Sequence, residues 1–270
     1  MSGALRTFFD RISRGYAAPV LRTRDWLYGI SDGSVSGKVP LYIWGRKTGL
    51  SGSFPTLVAT GTSAMPAYPT ADQIIKFKSS SANDDGAPAG TGAWTIRIWW
   101  LDAAGNESTL DGTLNGTTIV VSAVITMRRV NRAIVLTGTT GVSNLGAISI
   151  YGTDGVTVLL QIPVPDTLGC GVSSTTRRTV PIGKRDRIVR ILYPLADLTN
   201  IAQAILRYRT SPTSPWLMAA TLGNRASTPA NLGEYLETPI TFEAGTDYEC
   251  VYSGASSEFQ VTLIGWTEDA

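Results

Sequence analysis

The sequence predicts an all-β protein: two jelly-roll-like antiparallel β-sandwich domains behind an N-terminal arm. Three observations predict it. Glycine (28) and proline (14) are plentiful, and charged residues make up only 16% of the 270 positions, a mix that disfavours long helices and suits short strands with tight turns. Stretches rich in β-branched and aromatic residues recur about every ten to twenty residues, bounded by Gly, Asn, Asp and Pro. Hydrophobic content of 43% can fill one large core or two medium ones.

The arm spans residues 1–28. Leu5, Phe8, Phe9 and Ile12 fall at i, i+3, i+4 and i+7, the spacing of one helical face. Arg6, Arg11, Arg14, Arg22 and Arg24 make it basic against Asp10 and Asp25. So short a helix is marginal alone in water, which leaves two readings: a surface helix on its own domain, or a docking arm that orders against a partner.

The first sandwich spans 29–165, with strand candidates at Val39–Gly45, Gln73–Ser81, Trp94–Asp102, Thr117–Ile125, Asn131–Gly138, Gly146–Gly152 and Thr157–Pro163. A linker, Pro163–Val172, leads to the second, 173–270, with candidates at Arg177–Leu195, Ala202–Ser211, Trp216–Gly223, a strand–turn–strand over Thr238–Gly254, and Glu258–Asp269. The segment "DLTNIAQAILRY" has helical spacing, but its β surroundings favour loop plus strand.

Composition excludes much chemistry. There is no histidine, which removes the commonest general base, the commonest metal ligand and the usual Ser/His and Cys/His pairs. Two cysteines, Cys170 and Cys250, cannot make a four-thiolate zinc site or a disulfide framework; they could pair once, but read rather as two scattered buried thiols. A net charge of +2 does not suggest a nucleic-acid binder. The N-terminus has no signal-peptide h-region, and no apolar run is long enough to span a membrane. Folding in a cytoplasm is expected.

The richest stretch is "WTIRIWWLDAAGNESTLDGTLNGTTIVVSA", Trp94–Ala123. In a strand, Trp94, Ile96, Ile98 and Trp100 share one face, the core row, and Arg97, Trp99 and Leu101 the other. "DAAGNE" then reads as a turn and "LNGTT" as a second Asn-Gly turn. Asp102, Asn106 and Glu107 lack calcium-loop spacing. Asp102, Glu107 and Asp111 are candidate glycosidase carboxylates only because any carboxylate is, and a carbohydrate face on Trp99 stays open. Asp84 and Asp85 read as turn caps. The glycines of "GTGAWTI" are followed by no phosphate-binding signature. The densest basic run, "RRTVPIGKRDRIVR", is either a solvated strand face or a contact, through Arg185 and Arg187, to an acidic partner surface or a packaged nucleic acid, the partner surface being the better fit.

Two segments resemble a family. "SSSANDDGAPAGTGAWTIRIWWLDAAGNESTLDGTLNGTT" is similar to a pattern in virion proteins of tailed bacteriophages, especially aquatic ones, and "RRTVPIGKRDRI" resembles the opening of a second β-domain in such proteins. The likeness covers about residues 73–150 well and 175–270 loosely, and omits the arm. "STLDG" departs from the family's acidic follow-on, so no sugar or receptor site is carried over. The resemblance implies a structural, non-enzymatic subunit without cofactor: minor capsid, cement or decoration protein, or alternatively a spike, fibre or host-glycan recognition module. It implies a virion assembled in the host cytoplasm. The expected partners are the major capsid protein and further copies of the chain, as a trimer, through Phe8, Phe9, Arg11, Arg14, Arg22, Arg24, Trp26, Trp44, Trp99, Arg185 and Arg187, since aromatics and Arg concentrate interface energy.

Overall fold

The computed structural model describes residues 30–31, 33–57, 59, 69–139, 144–165, 171–194, 203–223 and 231–270. The expected arm lies outside them, with Phe8, Phe9, Arg11, Arg14, Arg22, Arg24 and Trp26.

The all-β prediction holds: the named elements are fourteen strands. They are β1 (Lys38–Leu57), β2 (Lys76–Ser79), β3 (Ala93–Leu101), β4 (Glu107–Thr113), β5 (Val120–Val121), β6 (Arg129–Gly138), β7 (Ile148–Tyr151), β8 (Val158–Ile162), β9 (Arg178–Thr179), β10 (Lys184–Pro194), β11 (Gln203–Arg209), β12 (Leu217–Gly223), β13 (Asn231–Phe242) and β14 (Asp247–Asp269). All pairings between them are antiparallel. Gln203–Arg209 is a strand, as its surroundings favoured over its helical spacing.

The jelly-roll expectation is corrected. Small antiparallel sheets are arranged like a four-bladed propeller, not stacked as sandwiches. Two of them are the three-stranded β4-β3-β6 and the four-stranded β5-β2-β7-β8. The other two are fused into one seven-stranded network because β14 runs through both. Its first half pairs with β9 and β11, and its second half with β10 and most of β1. β1 falls in the expected first domain yet pairs with β14, so one sheet crosses the division between 29–165 and 173–270.

Two main cores result. Ile75, Phe77, Ile96, Ile98, Met127, Ile148, Ile150 and Ile162 centre one; Ile188, Leu206, Phe242, Tyr248, Tyr252, Phe259, Val261 and Leu263 centre the other. In the second, Phe242 stacks on Tyr248 at 4.3 Å. Gly265 lets β10 approach β14: a Cβ there would lie 1.8 Å from the Arg187 carbonyl oxygen. Cys250 is buried and free, and burial raises its thiol pKa, as does Glu249; Cys170 is outside the described residues.

The core row of β3 needs one correction. Ile96, Ile98 and Trp100 are buried, but Trp94 is only half-buried, and its indole N–H donates to the Gly90 carbonyl at 2.8 Å. Register shifts against β6 at Ala93/Thr95 and Thr95/Ile96 break the alternation there. A bulge inverts the faces of whatever precedes it, so Ala93 takes the core position instead.

Candidate interaction cleft

Trp99 looks away from that core row into a cleft of about 320 Å³ between β3/β6 and β1. Lining residues include Tyr42 and Trp44 from β1, Trp99, Asn131 and Arg132 opposite, and Val172, Ser173 and Arg178 along the floor. Thus Trp44 and Trp99, far apart in sequence, meet at one site. Trp99 and Arg132 are direct cross-strand partners, and the guanidinium lies over the indole, 5.2 Å from its centroid. Cross-strand partners share a face, which is why both reach the cleft. Burial lowers the pKa of Arg132, as does the neighbouring Arg178.

The floor is held by a buried polar latch joining the two parts of the molecule. The Asn131 side-chain amide donates to the Thr179 carbonyl at 2.9 Å and accepts from the Thr179 N–H at 3.0 Å, taking the place of a strand neighbour. Arg178 pairs with fully buried Asp186 at 2.8 Å, and Asp186 also accepts from Tyr248 and Thr267. Burial opposes the charge on Arg178, but Asp186, Tyr248 and Glu107 outweigh it and raise its pKa. Arg129 approaches Asp247 at 3.6 Å. Asp247 and Glu249 stand directly across from Arg209 and Arg207, at 2.9 and 2.6 Å, and Arg177 completes the Glu249 triad at 2.8 Å. Trp216 lies against both Arg207 and Arg209, 4.5 and 4.7 Å from its centroid.

The other singled-out residues are placed as follows. Arg185 pairs with Glu243, in the turn after β13, at 2.9 Å, and Arg187 with Glu268 of β14 at 2.5 Å. Asp102 accepts from the Ala104 and Asn106 N–H groups and the Asn106 side chain inside its own turn; these bonds, the Asn106 side chain foremost, lower its pKa. Glu107 turns to Asn131 and Arg178. Asp111 is bidentate with Arg97. Asp85 caps its turn, accepting from the Ala87 N–H at 2.9 Å, whereas Asp84 is wholly buried and accepts from Ser79, Ala93, Leu145 and Gly146 across separate elements. Sequence reasoning missed Arg132 and the latch. Their one local signal is alternation: Asp247 and Glu249 flank Tyr248, just as Arg207 and Arg209 flank Tyr208.

Glu268 sets an acid limit on this region. Burial opposes its ionisation, but bonds from Lys38, Arg187 and Trp266 prevail and lower its pKa from 4.5 to about 2. A depressed carboxylate pKa adds stability that is present above the unfolded value and lost as pH falls through the folded one. Unfolding free energy is therefore expected to decline from pH 4.5 towards about 2. Glu268→Gln should flatten this limb in urea titrations at stepped pH, and an unchanged slope would refute the assignment.

No protein-family model matches the chain, and none of the curated proteins is significantly similar to it.

Proposed function

We propose that the chain is a virion structural protein, a capsid cement or decoration subunit of minor-capsid type that binds the major capsid lattice and stabilises the shell by non-covalent contacts. The observation that carries the reading is the cleft, which sets a tryptophan–arginine pair against a strand edge over a rigid polar floor. Aromatic and Arg side chains in a concave, partly desolvated setting are what interfaces use as anchors. The resemblance of residues 79–118 and 177–188 to tailed-phage virion proteins supplies the partner. A subunit that binds the assembled shell, and not its separated parts, stabilises the shell by mass action.

Co-sedimentation with purified shells tests it. The full chain is expected to pellet with shells and raise their melting temperature. Trp99→Ala should weaken binding at least about tenfold, a loss of about 1.4 kcal/mol, with the chain's own Tm little changed. Removing residues 1–28 should leave a folded protein that no longer binds shells. Failure of the full chain to bind shells would overturn the reading, and binding to a glycan panel that depends on Trp99 would favour a host-recognition module.

A further inference from the structure

The β1 wall of the cleft is lined by every residue from Gly37 to Trp44, not by alternate ones. A strand offers alternate residues when one of its faces lines a cavity; an unbroken run means that its edge does. The Arg46 N–H shows which backbone groups look outward, because it donates to Ser174 Oγ at 3.0 Å, away from β14. β1 holds constant register with β14 from Lys38 to Thr48. By the two-residue repeat, the backbone groups of Trp44, Tyr42 and Pro40 therefore face the same way as those of Arg46. Among the described residues β1 pairs with β14 and no other strand, and no backbone bond fills this outer edge at Tyr42 or Trp44. Pro40 has no N–H to give, so the open donors are those of Tyr42 and Trp44, alternating with the carbonyls beside them.

Among the described residues, one cation of the cleft has no carboxylate against it. Lys38, Lys184 and Arg178 line the cleft and are paired with Glu268, Asp269 and Asp186, and the lining carboxylate Glu107 is turned to Arg178 and Asn131. Arg132 has Trp99 beneath it and no carboxylate partner among the described residues. Its depressed pKa reflects the same condition: burial and a like charge nearby, without an anion. An added anion would relieve both, and carboxylate–guanidinium bonds are charge-assisted and often bidentate. The indole face already carries Arg132, which disfavours a sugar stacked there. The chain's own residues 1–28, with five arginines against two aspartates, have the wrong sign.

We infer that the cleft receives an extended, acid-bearing segment of a partner protein, added as a strand to the outer edge of β1 at Tyr42 and Trp44 with its carboxylate on Arg132. Main-chain bonds to an open edge give affinity, and the side-chain contact gives selectivity. The identity of the partner as a capsid subunit rests on the docking role proposed above; the chemistry of the segment does not.

The test is a yeast-displayed library of random nonapeptides, sorted against the full-length protein and against Arg132→Glu. The Arg132 residue as a whole is open to solvent, although the cleft walls partly desolvate its guanidinium, so the variant is expected to keep the parent's Tm. Peptides enriched on the parent should carry Asp or Glu at one fixed position, and those enriched on the variant Lys or Arg there. An enriched peptide, synthesised, should shift the Tyr42 and Trp44 amide resonances. N-methylation of its alternate amides should weaken binding at least tenfold. No enrichment, enrichment without an acid, or indifference to N-methylation overturns the inference. So does binding of free acidic sugars or inorganic phosphate at Arg132 in place of peptide. Shell binding that persists alongside any of these results leaves the cement role standing and removes only the strand-addition mode.

Discussion

Replacing Glu249 with alanine is expected to lower the unfolding free energy by about 3–5 kcal/mol, the range for breaking a buried ion pair from one side. Glu249 has no solvent exposure, and Arg177 and Arg207 converge on it with side chains 11% exposed. Removing the carboxylate leaves two guanidiniums facing each other in a space that water barely reaches. The cost thus comes less from a lost attraction than from the repulsion left between two like charges. Replacing all three groups by apolar residues of similar volume, Arg177→Met, Glu249→Leu and Arg207→Met, should recover most of the loss, since such triads are often no better than well-packed hydrocarbon. Urea denaturation of the single and triple variants measures both. A single variant within about 1 kcal/mol of the parent would mean that the triad is solvated in solution.

The second large effect is expected at Asp84. Its Oδ1 accepts from the N–H groups of Ala93 and Leu145 at 2.9 and 2.8 Å, and its Oδ2 from the Gly146 N–H at 2.8 Å and the Ser79 hydroxyl at 2.5 Å. One fully buried carboxylate therefore gathers the end of β2, the start of β3 and the approach to β7. Asp84→Ala strands two buried backbone donors, Ala93 and Gly146, and a part-buried one, Leu145; a buried unpaired donor costs about 1–3 kcal/mol, so a loss of at least about 2 kcal/mol is expected. Asp84→Asn keeps one acceptor oxygen but turns an NH₂ towards donors, and should fall between the parent and Ala. If Ala proves too unstable to purify, the Asn midpoint in urea carries the test. An Asn variant as stable as the parent would show that the charge does not matter there.

The two halves of the fold were unequally legible in the sequence. Strands such as Ile148–Tyr151 and Val158–Ile162 are mostly apolar stretches between turn residues, each with one polar residue, Ser149 and Gln161, and they form where the pattern puts them. β4 (Glu107–Thr113) carries little strand signal because ESTLDGT offers one large apolar residue, Leu110, whose face meets the core while the rest of the strand is largely exposed at a sheet edge. Most of Thr117–Ile125 proved to be loop, with only Val120–Val121 paired, and Ile119, Val121 and Ile125 stay exposed among the described residues. The propeller-like arrangement was not legible, since it depends on β14 belonging to two sheets and alternation cannot report a shared strand. At the cleft, Trp44 and Trp99 stand out by residue type, but Arg132 looks like any polar position on an alternating strand. Only the cross-strand register with Trp99 marks it.

The partnership of β1 with β14 also sets a schedule for synthesis. Lys38 meets Glu268 across 230 residues of chain. At translation rates of about 5–20 residues per second, β1 leaves the ribosome on the order of 10–50 s before its partner exists. For that interval both its flanks are bare, and closing so long a loop is slow compared with local pairing. Proline and lysine on a bare flank discourage adventitious pairing, and Lys38 and Pro40 sit at its leading end. The residues that limit strand addition to Tyr42 and Trp44 in the finished protein thus also protect the nascent chain while it waits for its last strand.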